Sequence, residues 1–225
     1  MIVPFSWGRG GDDSDADDFE AARDRMVDRL AGRIDRDATE QAMRAVPRHE
    51  FVPEHRRDEA YADRPLPIGN DQTISAPHMV AEMVDRLALE PGEDVLEIGT
   101  GCGYHAAVTA EVVGDDHVYS VEYHRELAEQ ARDRLERLGY DGISIRVGDG
   151  HAGWPEHAPY DAIYLTCAAR EFPSALIEQI RVGGRLLGPL GRRRQQLVLA
   201  EKRPDGSLDR SKHGYVRFVP MQSGE

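Results

Sequence analysis

Lysine is almost absent from this chain: of its 28 basic residues only Lys202 and Lys212 are lysines, and the rest are arginines. Cysteine is as scarce, with Cys102 and Cys167 alone, which excludes a disulfide-stapled fold and lacks the count and spacing of a zinc site. No apolar run approaches the length that spans a bilayer, and nothing resembles a signal peptide, so a cytosolic location without a membrane partner is expected. Positive charge is short overall: 41 acidic residues against 28 basic ones leave a net charge of −13. That balance disfavours nonspecific nucleic-acid binding, because phosphate contacts need a basic footprint. Only Arg192-Arg193-Arg194 is concentrated, and it reads as a solvated loop. An Asp-rich, Arg-rich, nearly Lys-free composition predicts a halophilic source, since screening in a high-salt cytoplasm shrinks self-repulsion while acidic surfaces stay hydrated. The pairs His49/His55 and His151/His157 lie in loop-like sequence without other ligand types nearby, so no metal is expected.

What is present can bury one substantial core: 225 residues with 40% hydrophobic content. Residues 1–20 include Gly10-Gly11 and the Asp/Ser-rich stretch Asp12 to Asp18, which reads as a disordered acidic tail. Residues 21–225 then form one domain, with N-terminal helices and an active-site segment over 21–90 and a cofactor-binding sheet over 91–225. Helical patterns fit Phe19 to Leu30 and Asp37 to Val46, with a short helix near Glu54 to Ala60. An irregular stretch then runs to Ala76; its length makes it a functional suspect. Pro77 suits a first helical turn, and Met79, Val80, Met83, Val84 and Leu87 recur at helical spacing through Leu89.

From Asp94 strands and helices alternate. Strand patterns cover Val95 to Ile98, Val118 to Glu122, Ile143 to Val147, Ala162 to Thr166, Arg185 to Leu190, Gln196 to Glu201 and Tyr215 to Val219. Helical patterns fit Tyr104 to Val113, His124 to Leu138 and Pro173 to Arg181. This predicts an α/β fold: a doubly wound, mainly parallel seven-stranded Rossmann-like sheet with an N-terminal helical addition. The final two strands lack an intervening helix and should close the sheet antiparallel.

The chemistry begins at Glu97-Ile98-Gly99-Thr100-Gly101-Cys102-Gly103, where an apolar strand breaks into a glycine turn and opens a helix. A dinucleotide fingerprint keeps its third position small for helix–strand packing around a pyrophosphate, and Tyr104 stands there instead. The pattern E-x-G-x-G-x-G resembles the first motif of class I S-adenosylmethionine-dependent methyltransferases. Backbone N–H groups of such a turn can meet a methionine carboxylate, and Glu97 is a candidate to attract the ammonium, directly or through water. Glu122 ends the second strand, 19 residues beyond Gly103, where a carboxylate can accept from both ribose hydroxyls. Asp149-Gly150 ends the third and is placed to accept from the exocyclic amine of adenine. Thr166 to Ala169 end the fourth with small residues, leaving room for cofactor and substrate to meet.

Further segments carry a closer match. They are Ala45 to Arg48, Phe51 to Pro53, Pro67 to Gly69, Gln72 to Met79, Val95 to Gly103, Val121-Glu122, Gly148 to Gly150, Tyr160 to Ile163, Ile180 to Gly184 and Val216 to Pro220. With them the sequence resembles the protein-L-isoaspartate (D-aspartate) O-methyltransferases over roughly residues 23 to 221. The resemblance implies S-adenosyl-L-methionine as cofactor and isoaspartyl-containing peptides and proteins as partners; a monomer is expected. It implies Ser75 as the active-site residue, with Gln72, Thr73 and Ile74 lining the cofactor side, and Ser75, His78, Val216, Phe218 and Val219 on the substrate side. From its position ahead of Pro77, Ser75 is also a candidate helix cap. Three other readings stay open at this point: a related methyltransferase acting on another carboxylate or a modified nucleoside, a cofactor-binding module without catalysis, and a nicotinamide dehydrogenase.

Overall fold

Val95–Ile98, fully buried on both faces, is the kind of apolar run that only the middle of a covered parallel sheet accommodates. A computed structural model describes residues 13–223. In chain order its elements are α1 (Asp13–Leu30), α2 (Asp37–Ala45), a hairpin of β1 (Leu66–Gly69) and β2 (Gln72–Ile74), and α3 (Pro77–Leu87). There follow β3 (Val95–Ile98), α4 (Tyr104–Val113), β4 (Val118–Glu122), α5 (Arg125–Arg137), β5 (Ser144–Val147) and β6 (Tyr160–Leu165). The chain closes with α6 (Ser174–Gln179), β7 (Ile180–Leu190), β8 (Gln195–Lys202) and β9 (Leu208–Val216).

The large sheet has the order β5-β4-β3-β6-β7-β8-β9, parallel from β5 through β7 and antiparallel at β7–β8 and β8–β9. The seven-stranded, mainly parallel sheet read from the sequence is thus the observed one. The chain leaves β3 first toward β4 and later returns to its other side at β6, so the carboxyl ends of β3 and β6 flank a topological switch point, where ligands enter such sheets. Strand alternation splits the core. Leu96 and Ile98 point toward α6 with Val121, Ile163 and Leu176, while Val95 faces the N-terminal helices with Met43, Val84, Val108 and Tyr164.

Several boundaries differ from the sequence reading. The Asp-rich stretch assigned to a tail is helical from Asp13, because extending an existing helix adds a hydrogen bond for each residue ordered, whereas nucleating one does not. Residues 1–12 of that expected tail lie outside the described residues. The irregular stretch before Ala76 holds the β1–β2 hairpin, which pairs Leu66 with Ile74 and Pro67 with Thr73. Its turn puts Asn70 and Asp71 at φ 48° and 56°, the geometry of a type I′ turn, in which Asn and Asp tolerate the left-handed region. The last strand is Leu208–Val216, not Tyr215 to Val219. Beyond it the chain docks on the loop after β6: Ala168 N–H donates to Val219 O at 2.7 Å, and Met221 N–H to Ala168 O at 2.8 Å.

At the far end of α3 the residue after the helix, Ala88, sits at φ 50°, an uncommon conformation without glycine. Arg185 Nη1 donates to the carbonyls of Leu87 and Ala88 at 2.6 and 2.7 Å. A guanidinium from the adjacent sheet therefore replaces the usual glycine termination.

Candidate active site

Between β3 and α4 the chain turns through Gly99, Gly101 and Gly103 at φ 101°, 55° and 90°, a conformation that side chains resist. The turn is pinned from both neighbouring strands. Thr166, just after β6, donates its hydroxyl to Gly99 O at 2.5 Å, and its N–H donates to Ile98 O at 3.0 Å. A Cβ built on Gly99 would overlap Thr166 Oγ1. On the other side Gly101 N–H donates to Glu122 Oε2 at 2.8 Å, and His124 N–H donates to Glu122 Oε1 at 2.9 Å. Each carboxylate oxygen has taken one donor and keeps acceptor capacity for another, which suits it to the two hydroxyls of a ribose.

Above this turn lies a cavity that opens to solvent. Gln72, Thr73, Ile74 and Ser75 form one wall; Gly99, Gly101 and Glu122 form the floor; Gly150, Thr166 and Val219 complete the rim. A side chain at Gly150 would overlap Ile98 Cγ2, so the backbone there approaches the cavity closely by necessity. Both cysteines border the cavity as free thiols. Burial pushes the Cys102 thiol up and that of Cys167 up to about 12, so neither supplies a thiolate at neutral pH.

The Ser75 segment is held from behind by a buried cation. Arg48, 0% exposed, donates from Nη2 to Ser75 O and from Nε to Ala60 O, each at 2.8 Å. Its guanidinium lies 4.8 Å from the Tyr104 ring centroid. Burial lowers its pKa, opposed by the field of Tyr104. Tyr104, the residue that argued against a dinucleotide, turns its ring into the N-terminal addition against Phe51. The first residue of α4 thereby joins the glycine turn to the element that carries Ser75.

A family model described as protein-L-isoaspartate(D-aspartate) O-methyltransferase matches residues 22–225. The chain belongs to this O-methyltransferase family. A protein of Archaeoglobus fulgidus named protein-L-isoaspartate O-methyltransferase 2 is 51% identical over 207 residues, 91% of this chain and 94% of its own. A Methanopyrus kandleri protein named protein-L-isoaspartate O-methyltransferase is 51% identical over 208 residues, 90% and 92% of the two chains. Among solved structures, one titled protein-L-isoaspartate O-methyltransferase superposes with a TM-score of 0.81 at 33% identity. The match covers 89% of this chain and 66% of that one. A Plasmodium falciparum member of the family, in complex with S-adenosyl-L-homocysteine, superposes with a TM-score of 0.78 at 25% identity over 91% and 98% of the chains.

Not every residue expected at the site of this methyltransferase faces the cavity. Glu97 is 0% exposed and does not border it. Its register places it beside Ser120 and Tyr164 on one face of the sheet, where Oε2 accepts from Ser120 at 2.5 Å and Oε1 from Tyr164 at 3.0 Å. Burial pushes its carboxyl up to about 8, against the pull of those two hydrogen bonds, so it holds its proton at neutral pH. Its chain of contacts continues through Ser120 to Thr100 at 2.6 Å. Glu97 therefore braces the glycine turn from below and does not line the cavity as a direct partner for an ammonium.

Gly103 caps α4 against Leu135, away from the cavity. Asp149 caps the short turn Gly150–Ala152, with Oδ1 2.8 Å from both the His151 amide and its Nδ1, and only Gly150 of the pair lines the cavity. The α3 turn swings His78 outward, where Asp63 Oδ1 accepts from its amide and faces its Nδ1 at 2.7 Å. Val216 and Phe218 pack on the core, leaving Val219 as the residue of that trio at the rim. The cap of α3 is Ala76, with no side-chain capping bond, so the reading of Ser75 as a helix cap fails. The sequence reading missed His105, His124, Met221 and Gln222, all of which border the cavity. His105 is hidden in a helical pattern, and the C-terminal segment has no periodicity.

Proposed function

We propose that this chain transfers the methyl group of S-adenosyl-L-methionine to the free carboxylate of L-isoaspartyl residues in damaged proteins, which starts their repair. The observation that carries this reading is the closure of one cavity by two walls of different origin. One wall is the glycine turn with Glu122, which resembles the first motif of class I methyltransferases, and the other is Gln72 to Ser75, within the stretch matched by the family model. When bound, the cofactor supplies an electrophilic methyl on a sulfonium sulfur. The chain's own residues then have only to orient a carboxylate and exclude water, which fits a cavity whose thiols are protonated and whose Ser75 has no base pairing with it among the described residues. Ser75 orients the substrate carboxylate as a hydrogen-bond donor. The ester subsequently collapses without the enzyme, as the neighbouring peptide nitrogen attacks it to give a succinimide.

The decisive assay supplies labelled S-adenosyl-L-methionine and paired peptides with isoaspartate or aspartate. Ester is expected on the isoaspartyl peptide alone; ester on neither peptide, with S-adenosyl-L-homocysteine still bound, defeats the substrate assignment. Ser75→Ala is expected to lower kcat roughly 10- to 100-fold while cofactor affinity stays within about twofold. An unchanged kcat removes Ser75 from the mechanism.

The proposal extends to setting. The chain's free cysteines support the reducing cytoplasm, and the near absence of lysine supports a high-salt one. The protein should accordingly lose melting temperature on dialysis from molar salt into dilute buffer, and full stability there would reject the halophilic reading. Among the described residues no helix is long and apolar enough to cross a membrane, and no cluster of His, Cys, Asp or Glu is arranged to hold a metal ion.

A further inference from the structure

His105 is the second residue of α4, 6% exposed, and it borders the cavity. Its ring stacks on Tyr164 with centroids 4.4 Å apart, and neither ring nitrogen has a hydrogen-bond partner among the described residues. Tyr164 cannot serve it, because the Tyr164 hydroxyl is committed to Glu97 and Thr109 at 3.0 and 3.1 Å. A buried polar ring without partners is destabilising, and its persistence at a cavity wall points to a partner that arrives with the ligand.

The sheet order says which part of the ligand that is. Glu122, placed to receive a ribose, ends β4 on one side of β3, while Tyr164 and Thr166 belong to β6 on the other. Two strand spacings, roughly 10 Å, therefore separate the ribose acceptor from the His105 end of the cavity. With the ribose at Glu122, the opposite end of an S-adenosyl amino acid reaches the first turn of α4, where unpaired N–H groups and the helix dipole favour an anion. Burial pushes the imidazole down to about 3, so it is an uncharged ring with one N–H to donate.

We propose that His105 is a cofactor-binding residue that donates a ring N–H to the carboxylate of the cofactor's amino-acid end. This rests on the S-adenosyl-L-methionine reading given above and assigns a residue of this chain to one group of that ligand. His105 thereby selects ligands that retain the amino-acid end.

The test is a calorimetric titration of the full chain with S-adenosyl-L-homocysteine and with 5′-methylthioadenosine, which keeps the nucleoside and lacks the amino acid. His105→Leu is expected to weaken S-adenosyl-L-homocysteine roughly 10- to 100-fold, the loss typical of one hydrogen bond to a charged group, and to change methylthioadenosine less than about threefold. His105→Gln, which retains a donor, should recover most of the affinity. Should the leucine variant not fold, His105→Met removes the donor with a more adaptable side chain, and retained methylthioadenosine binding certifies the fold. Equal weakening of both ligands would mean a structural role and overturn the proposal, as would unaltered S-adenosyl-L-homocysteine affinity. Failure of the unsubstituted protein to bind either ligand would instead defeat the cofactor reading on which the proposal stands.

Discussion

Gly99→Ala is expected to lower cofactor affinity by about 100-fold or more and to destabilise the fold by roughly 2–5 kcal/mol. Two separate penalties combine. At φ 101° an alanine is strained whatever the space around it, and its Cβ would overlap Thr166 Oγ1. Thr166 cannot swing aside cheaply, because a β-branched side chain has few rotamers and its hydroxyl is bonded to Gly99 O at 2.5 Å. The turn must therefore shift, and with it the Gly101 amide that fixes Glu122. Thermal unfolding with titration of S-adenosyl-L-homocysteine measures both effects. A double variant with Thr166→Ala should recover the steric part and leave the backbone part. Unimpaired binding by Gly99→Ala would mean that the glycine turn is not the cofactor's seat.

Arg48→Met should destabilise the protein by about 2–5 kcal/mol, since it leaves the buried carbonyl of Ala60 and the partly buried one of Ser75 without their donors. Turnover should fall further than cofactor binding, because the carbonyl released belongs to Ser75 itself. Methionine keeps an apolar stem but removes the guanidinium that lies over the Tyr104 ring, so the loss combines the two hydrogen bonds with that contact. Arg48→Lys should be intermediate in urea denaturation: one ammonium has donors enough but lacks the planar fork that spans two carbonyls from a fixed position. If Arg48→Met unfolds at the same urea concentration as the parent and turns over normally, the guanidinium is not what holds the Ser75 segment.

The contrast between these two positions explains what could be read in advance. Gly99 announces itself, because a glycine-rich turn between an apolar strand and a helix is a local pattern whose backbone needs are written in adjacent residues. Glu122 and Thr166 follow from it by strand order alone. Arg48 has no such signal: its partners lie 12 and 27 residues away in sequence and are backbone carbonyls, which every residue carries. The hairpin from Leu66 to Ile74 escaped for a different reason. Its strands are of four and three residues, and its turn places Asn and Asp in the left-handed positions where glycine is the stronger cue.

Glu97 marks the boundary most clearly. Alternation along β3 puts it on the face opposite Leu96 and Ile98, but which layer covers that face is a matter of packing. Helix α4 covers it through His105 and Thr109 on Tyr164, so the carboxyl is enclosed with Ser120 and Tyr164 and keeps its proton. A pattern of residues cannot state a dielectric environment, and the environment decides whether this group is an anion or a brace.

By itself the sequence determined the alternating strands and helices, the glycine turn and the residues that end the strands, because hydrophobic period and turn chemistry act between near neighbours. Only the tertiary structure decided that Arg48 grips Ser75, that Glu97 lies beneath the turn, that His78 faces outward, and that His105 meets the cavity with both nitrogens unpaired. Those outcomes depend on burial and on contacts between segments distant in sequence, which form only when the elements pack together.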